Sequence, residues 1–197
     1  MASADATAAE PVVEEVAHVP GEADMWFFVV FETLVFASYF CVYLYFRTQD
    51  ERAFLAAQSA LDLPLGVVDT IVLLSSSWTI ARCVQLVRAG RYDGARQLAL
   101  VTAGLGAVFM VLKVTEWVRL VHEGHTFTSS DFMQHFFFLT AMHAIHVVIG
   151  FVALGIVVHR LMNPQRREHE TIETCATYWH TVDLFWVLIF AVLYIVR

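Results

Sequence analysis

Glu32, Asp69, Arg82, Lys113, Glu116, His143, His146, His180 and Asp183 all lie within long apolar stretches of this 197-residue chain or close to their ends. In lipid an ionised side chain costs at least a few kcal/mol, so each such residue is a functional hypothesis by default. Glu32 bears that cost most fully. It sits inside MWFFVVFETLVFASYF, where a carboxylate must be protonated, hydrogen-bonded or paired. His143 and His146 are spaced i,i+3 on one helical face, beside Thr140, Ala141 and Ala144, whose small side chains let another helix come close. A contact from Glu32 to these histidines would satisfy acid and imidazole together. Glu32, His143 and His146 are therefore the leading site candidates, as a buried polar contact between helices. Glu116, His180 and Asp183 are secondary candidates. With Asp69 and Lys113 they fall towards segment ends, and Lys113–Glu116 and Glu116–Arg119, each spaced i,i+3, read as local ion pairs at the membrane interface.

Three kinds of chemistry are open to such groups. His143 and His146 could hold zinc or copper with His180 and a carboxylate. They could not both be axial ligands of one haem, because axial ligands approach from opposite faces. Nothing else in the chain has ligand spacing; Cys41, Cys83 and Cys175 are far apart and form no C-x-x-C pair. The expectation is thus no catalytic residue, no metal and no cofactor on this chain. Structural or lipid-organising contacts come first, and proton handling second.

The elements that must position these residues follow from composition. The chain is 58% hydrophobic and 16% charged, where soluble domains run at about 25% charged. A soluble monomer of this kind would expose large apolar patches. A net charge of −7 leaves no basic surplus for nucleic acid. About 20 apolar residues are needed to cross about 30 Å of hydrocarbon as helix. Five runs qualify, at about 25–46, 67–89, 97–121, 132–159 and 172–196. They are continuous rather than alternating, which excludes barrel strands, and internal hydrogen bonding then demands helix. The predicted fold is an all-α integral membrane bundle of five transmembrane helices. Residues 1–24 read as an acidic mobile tail without a basic leader. Residues 47–66 read as the longest connection, GRYDGAR as a tight turn, and Ser129, Ser130 and Asp131 as N-caps of the fourth helix. Arg88, Arg91, Arg96, Arg160, Arg166 and Arg167 outnumber Arg47, Arg52, Arg119 and Arg197, which predicts a cytoplasmic N-terminus and an outside C-terminus.

These segments resemble subunit III of the haem-copper oxidase (cytochrome c oxidase) superfamily in its short five-helix form. The first carries the family's embedded carboxylate at Glu32. LLSSSWTIA resembles its Ser/Thr-rich helix, and VTEWVRLVHEG its glutamate–aromatic exit at Glu116 and Trp117. FFFLTAMHAIHVVIG resembles T-G-F-H-G-L-H-V-x-x-G, matching His143, His146 and Gly150. TYWHTVDLFW resembles Y-W-H-F-V-D-x-x-W, matching His180, Asp183 and Trp186. The motifs occur in family order and span nearly all of residues 25–197. Ala141 and Ala144 replace family glycines, and Lys113 stands where relatives are usually uncharged. The opening PGEADMWFFVVFETLVFASYF also resembles the branch found with nitric oxide reductases.

The resemblance implies a non-catalytic subunit of a prokaryotic plasma-membrane terminal oxidase. Its haem and copper would lie in partner subunits I and II. The chain would hold phospholipid in a cleft and support proton uptake and stability during aerobic electron transport. The alternative is an accessory of a nitric oxide reductase. A small transporter is a minor third reading, for which broken helices and an internal repeat are missing.

Overall fold

The computed structural model describes residues 23–196. Six α-helices follow one another: α1 Ala23–Gln49, α2 Glu51–Gln58, α3 Leu63–Arg88, α4 Tyr92–His122, α5 Asp131–Met162 and α6 His169–Phe190. A π-turn, Ala191–Ile195, continues α6. Among the described residues there is no strand. Five helices are long and apolar enough to cross a membrane. The predicted all-α bundle is the one observed.

The observed helices run further than the apolar runs, because polar first and last turns still close backbone hydrogen bonds. The expected connection at 47–66 holds the short α2, started by Asp50, whose carboxylate accepts from Ala53 N at 3.1 Å. Asp62 starts α3 in the same way, accepting from Leu65 N at 3.2 Å, with Pro64 in the first turn. Ser130 caps α5, accepting from Met133 N at 3.2 Å. These caps satisfy amides that have no partner inside the helix. Gly90 and Gly124 end α3 and α4 in the left-handed region, at φ 71° and 89°. Arg91 N returns to Leu86 O at 2.9 Å and His125 N to Leu120 O at 2.8 Å, closing both helix ends. Of the two glycines in GRYDGAR, only Gly90 makes the turn; Gly94 already lies in α4. Of the predicted tail at 1–24, residues 1–22 lie outside the described residues, and Asp24 belongs to the first turn of α1.

The core is built on α6. Trp179 and Trp186 are fully buried and face α3, α4 and α5. Gly106 and Gly150 are needed for this: a Cβ on either would come within 2.8 Å of the Trp179 ring. Trp179 Nε1 donates to Ser76 Oγ at 3.0 Å and Trp186 Nε1 to Thr70 Oγ1 at 3.1 Å, so both indoles tie α6 to α3. Trp117 Nε1 donates to Thr140 Oγ1 at 3.2 Å, tying α4 to α5. The last turn is pinned from two helices. Arg47 Nη1 donates to Val196 O at 2.6 Å, and Gln58 Nε2 to Leu193 O at 2.9 Å and Val196 O at 3.1 Å. Terminal carbonyls that no further turn can satisfy thus find donors.

α1 is held differently. It lies at the flank of the bundle, with Phe27, Leu34 and Tyr45 more than 60% exposed. It docks through one face: Phe36 stacks on Phe185 of α6 at 4.3 Å, Tyr39 stacks on Phe138 of α5 at 4.5 Å, and the fully buried Tyr43 meets Phe54 of α2 and His135 of α5 edge-on, each at 5.7 Å.

Candidate functional site

Two separate polar centres emerge where a single trio was expected. The first is at the flank. Glu32 on α1 reaches His146 on α5, with Oε2 and Nε2 3.2 Å apart, and both side chains are nearly buried. Nδ1 of His146 lies 2.8 Å from the Met142 carbonyl. A carbonyl only accepts, so Nδ1 carries a hydrogen. Nε2 and the Glu32 carboxyl must then share one proton: either the acid donates to a neutral imidazole or an imidazolium donates to the carboxylate. Phe36 meets the imidazole edge-on, with ring centroids 5.6 Å apart. Tyr178 OH donates to the His146 carbonyl at 3.2 Å.

Glu32 opens onto a groove of about 140 Å³ with Val35, Phe36, Ser38, Tyr39, Leu139 and Met142. Phe138 and Met142 also line a second groove, of about 360 Å³, with Trp117, Val121, Phe127, Phe137 and Ala141. Together they make an apolar trough along α5, with α1 on one side and α4 on the other, and the Glu32–His146 pair at one end.

His143 does not join this pair. It is fully buried, with the Phe109 ring edge-on at 5.5 Å and Trp186 at 5.3 Å. Neither ring nitrogen has a hydrogen-bond partner. At 3.6 residues per turn, positions three apart differ by roughly 60° around the axis. On a helix with one flank at α1 and the other in the core, that difference sends the two histidines to different neighbourhoods.

The second centre is interior. Lys113 on α4 places Nζ 2.6 Å from Glu116 Oε2, 2.9 Å from Asp69 Oδ2 on α3 and 3.2 Å from Tyr194 OH. Tyr194 OH lies 3.0 and 2.8 Å from the two oxygens of Glu116. Nζ also stands 4.3 Å from the Trp186 ring centroid. Side-chain exposure is 1% for Lys113 and 0% for Asp69 and Glu116. The expected interfacial ion pair is therefore corrected to a buried cluster. Its i,i+3 spacing is real, but the face carrying it turns inwards to Asp69 and Tyr194. Lys113, Asp69 and Tyr194 are not among the site candidates the spacing suggests, since no local spacing joins three separate elements. The available signal is a lysine inside the third apolar run and an acid inside the second.

The remaining candidates lie between α3 and α6. His180 Nδ1 and Ser77 Oγ are 2.6 Å apart. Asp183 is buried beside Ser76 and Ser77 of α3. Among the described residues, no group of three or more His, Cys, Asp or Glu side chains is placed to hold a metal ion. The suggested combination of His143, His146, His180 and a carboxylate is not assembled. Cys41, Cys83 and Cys175 form no disulfide bond.

A five-span bundle with an acid–imidazole pair at an apolar trough defines a class of polytopic membrane protein. Residues 20–197 match the family described as Cytochrome c oxidase subunit III. The chain is 31% identical over 174 residues to "Cytochrome c oxidase subunit 3" of Bacillus sp. (strain PS3), covering 86% of this chain and 83% of that protein. It is 30% identical over 174 residues to "Quinol oxidase subunit 3" of Bacillus subtilis (strain 168), covering 86% and 84%. It is 26% identical over 180 residues to "Heme-copper oxidase subunit I+III" of Aeropyrum pernix, covering 87% of this chain and 22% of that protein. This chain belongs to the cytochrome c oxidase subunit III family, and it is a prokaryotic-type membrane protein.

Proposed function

We propose that this chain is the non-catalytic subunit III of a haem-copper terminal oxidase, seated against catalytic subunit I. The match across residues 20–197 carries the reading. The relative named as subunit I+III supports the neighbour, since its name joins the two subunits in one protein. In this reading haem and copper belong to the partner subunits, I and II, and this chain contributes no redox centre. Phospholipid acyl chains occupy the trough along α5, which is apolar and faces outwards. Glu32 and His146 fix the edge of that trough by sharing a proton across α1 and α5. Lipid in the trough and this contact, with the Arg47–Val196 hydrogen bond at the other end of α1, hold that helix in place. Proton uptake and endurance of the complex during turnover depend on that order. The arginine bias supports a cytoplasmic N-terminus and an outside C-terminus in the plasma membrane.

The test is co-purification from a prokaryotic host membrane through a tag on this chain. Recovery of a haem- and copper-containing oxidase supports the proposal. Recovery of a nitric oxide reductase instead, or selective solute flux by the isolated chain, would overturn it. Within the recovered oxidase, Glu32→Ala is expected to retain initial turnover while losing bound phospholipid and activity over repeated turnovers. Unchanged lipid content and endurance would remove Glu32 from this role.

A further inference from the structure

We propose that Asp69, Lys113, Glu116 and Tyr194 form a proton-binding site, holding one exchangeable proton on the carboxyl pair and opening to water at the C-terminal end of the bundle. The argument begins with charge. Two carboxyls and one ammonium are enclosed together, with Nζ 2.9 Å from Asp69 and 2.6 Å from Glu116. A dry interior does not tolerate the uncompensated negative charge that two ionised carboxylates would leave. Other charged groups facing the cluster do not repair the count. Arg119 on α4 turns Nη1 to Asp62 at the start of α3, at 4.0 Å, and its buried Nε and Nη2 make no hydrogen bond to Asp69 or Glu116. From α5, His143 shares the Trp186 and Phe109 rings with Lys113 but has no hydrogen-bond partner to stabilise an imidazolium. From α6 and the π-turn come the neutral Trp186 and Tyr194. One proton therefore completes the cluster.

Hydrogen bonding says where it sits. Glu116 receives the lysine ammonium and the tyrosine hydroxyl, the coordination of an ionised carboxylate. Asp69 has only the ion-pair distance to Lys113; neither of its oxygens has a partner with hydrogen-bond geometry. Asp69 is the protonated member. Access is through Tyr194. It forms one wall of a cavity of about 390 Å³ whose other walls are Leu55, Gln58, Ser59, Leu61 and Leu63. When Asp69 is ionised it is loaded in two steps: Tyr194 first passes its hydroxyl proton to Glu116 and takes one from a hydronium in the cavity, which is left as water. Lys113 then hands a proton to Asp69 and regains one from Glu116. A single proton enters, and every other group is left as it began.

The site is independent of which enzyme accompanies the chain. It is tested by infrared spectroscopy of the full chain in phospholipid nanodiscs at neutral pH, following the carboxylic-acid C=O band. Asp69→Asn should remove one acid's intensity from that band. Glu116→Gln should remove the same intensity, because Asp69 then ionises against Lys113. Lys113→Met should add intensity, since both carboxyls become acids. Tyr194→Phe should keep the intensity and slow its isotope shift in D₂O. Circular dichroism verifies that each variant is folded, and Glu116→Gln serves if Asp69→Asn does not insert. A band unchanged in both folded carboxamide variants would overturn the proposal. In the wild type, a band of full intensity that never shifts in D₂O would overturn the opening to water.

Discussion

The Glu32–His146 pair and the Asp69–Lys113–Glu116–Tyr194 cluster handle the same difficulty, ionisable groups in an apolar medium, in opposite ways. At the flank, one acid meets one base across α1 and α5, beside an apolar groove. In the interior, four side chains from three elements close on one another beside Trp186. The flank pair can separate by moving α1 a short way. The interior cluster cannot open without disturbing the α3–α4–α6 packing. The contrast teaches that a polar group's mobility follows from what surrounds it more than from its own chemistry.

The largest expected effect breaks the interior. Lys113→Met leaves two buried carboxyls without a cation, and loss of one partner of a buried ion pair costs about 3–5 kcal/mol. Thermal unfolding in detergent should show that loss, while Asp69→Asn, which preserves the lysine–glutamate pair, should show far less. Equal losses would mean that the two carboxyls are equivalent. Packing comes next. Gly106→Val places methyl groups where the Trp179 ring lies, within 2.8 Å of a new Cβ, and overpacking costs about 1–3 kcal/mol. Ala141→Leu on the trough wall should instead leave unfolding nearly unchanged and displace bound lipid, measured by phosphate content of the purified chain.

Smaller effects sharpen the flank. A double-mutant cycle between Glu32→Ala and His146→Ala should give a coupling of about 1 kcal/mol, and the same cycle with His143→Ala should be additive. A coupled His143 would return it to the expected trio. Tyr194→Phe, which removes one hydrogen bond to an ionised carboxylate, should cost about 1.5 kcal/mol by the same unfolding assay, between the packing effect and the flank coupling.

Residues that act along one helix are legible in the sequence itself. Glu32 stands out because its neighbours are uniformly apolar, and Lys113 and Glu116 because three positions apart share a face. The His143–His146 spacing is legible in the same way, yet it misleads. A shared face is broad enough to border two environments, and only the position of α1 divides them. The short α2 is hidden because ERAFLAAQ is too brief and polar to register beside five long spans, although Asp50 at its start is a readable cap.

The residues alone determined the number of spans, their helical state and the family. Continuous apolar runs longer than 20 residues can satisfy their backbone only as helix, and motif order is a property of the chain itself. Tertiary structure alone decided which charges meet. Tyr194 reaches Glu116 from 78 residues away, and neither α3 nor α4 gathers its apolar residues on one face. In lipid no polar stripe marks an outer face, so each helix's rotation about its own axis is set by packing such as Trp179 against Gly106 and Gly150.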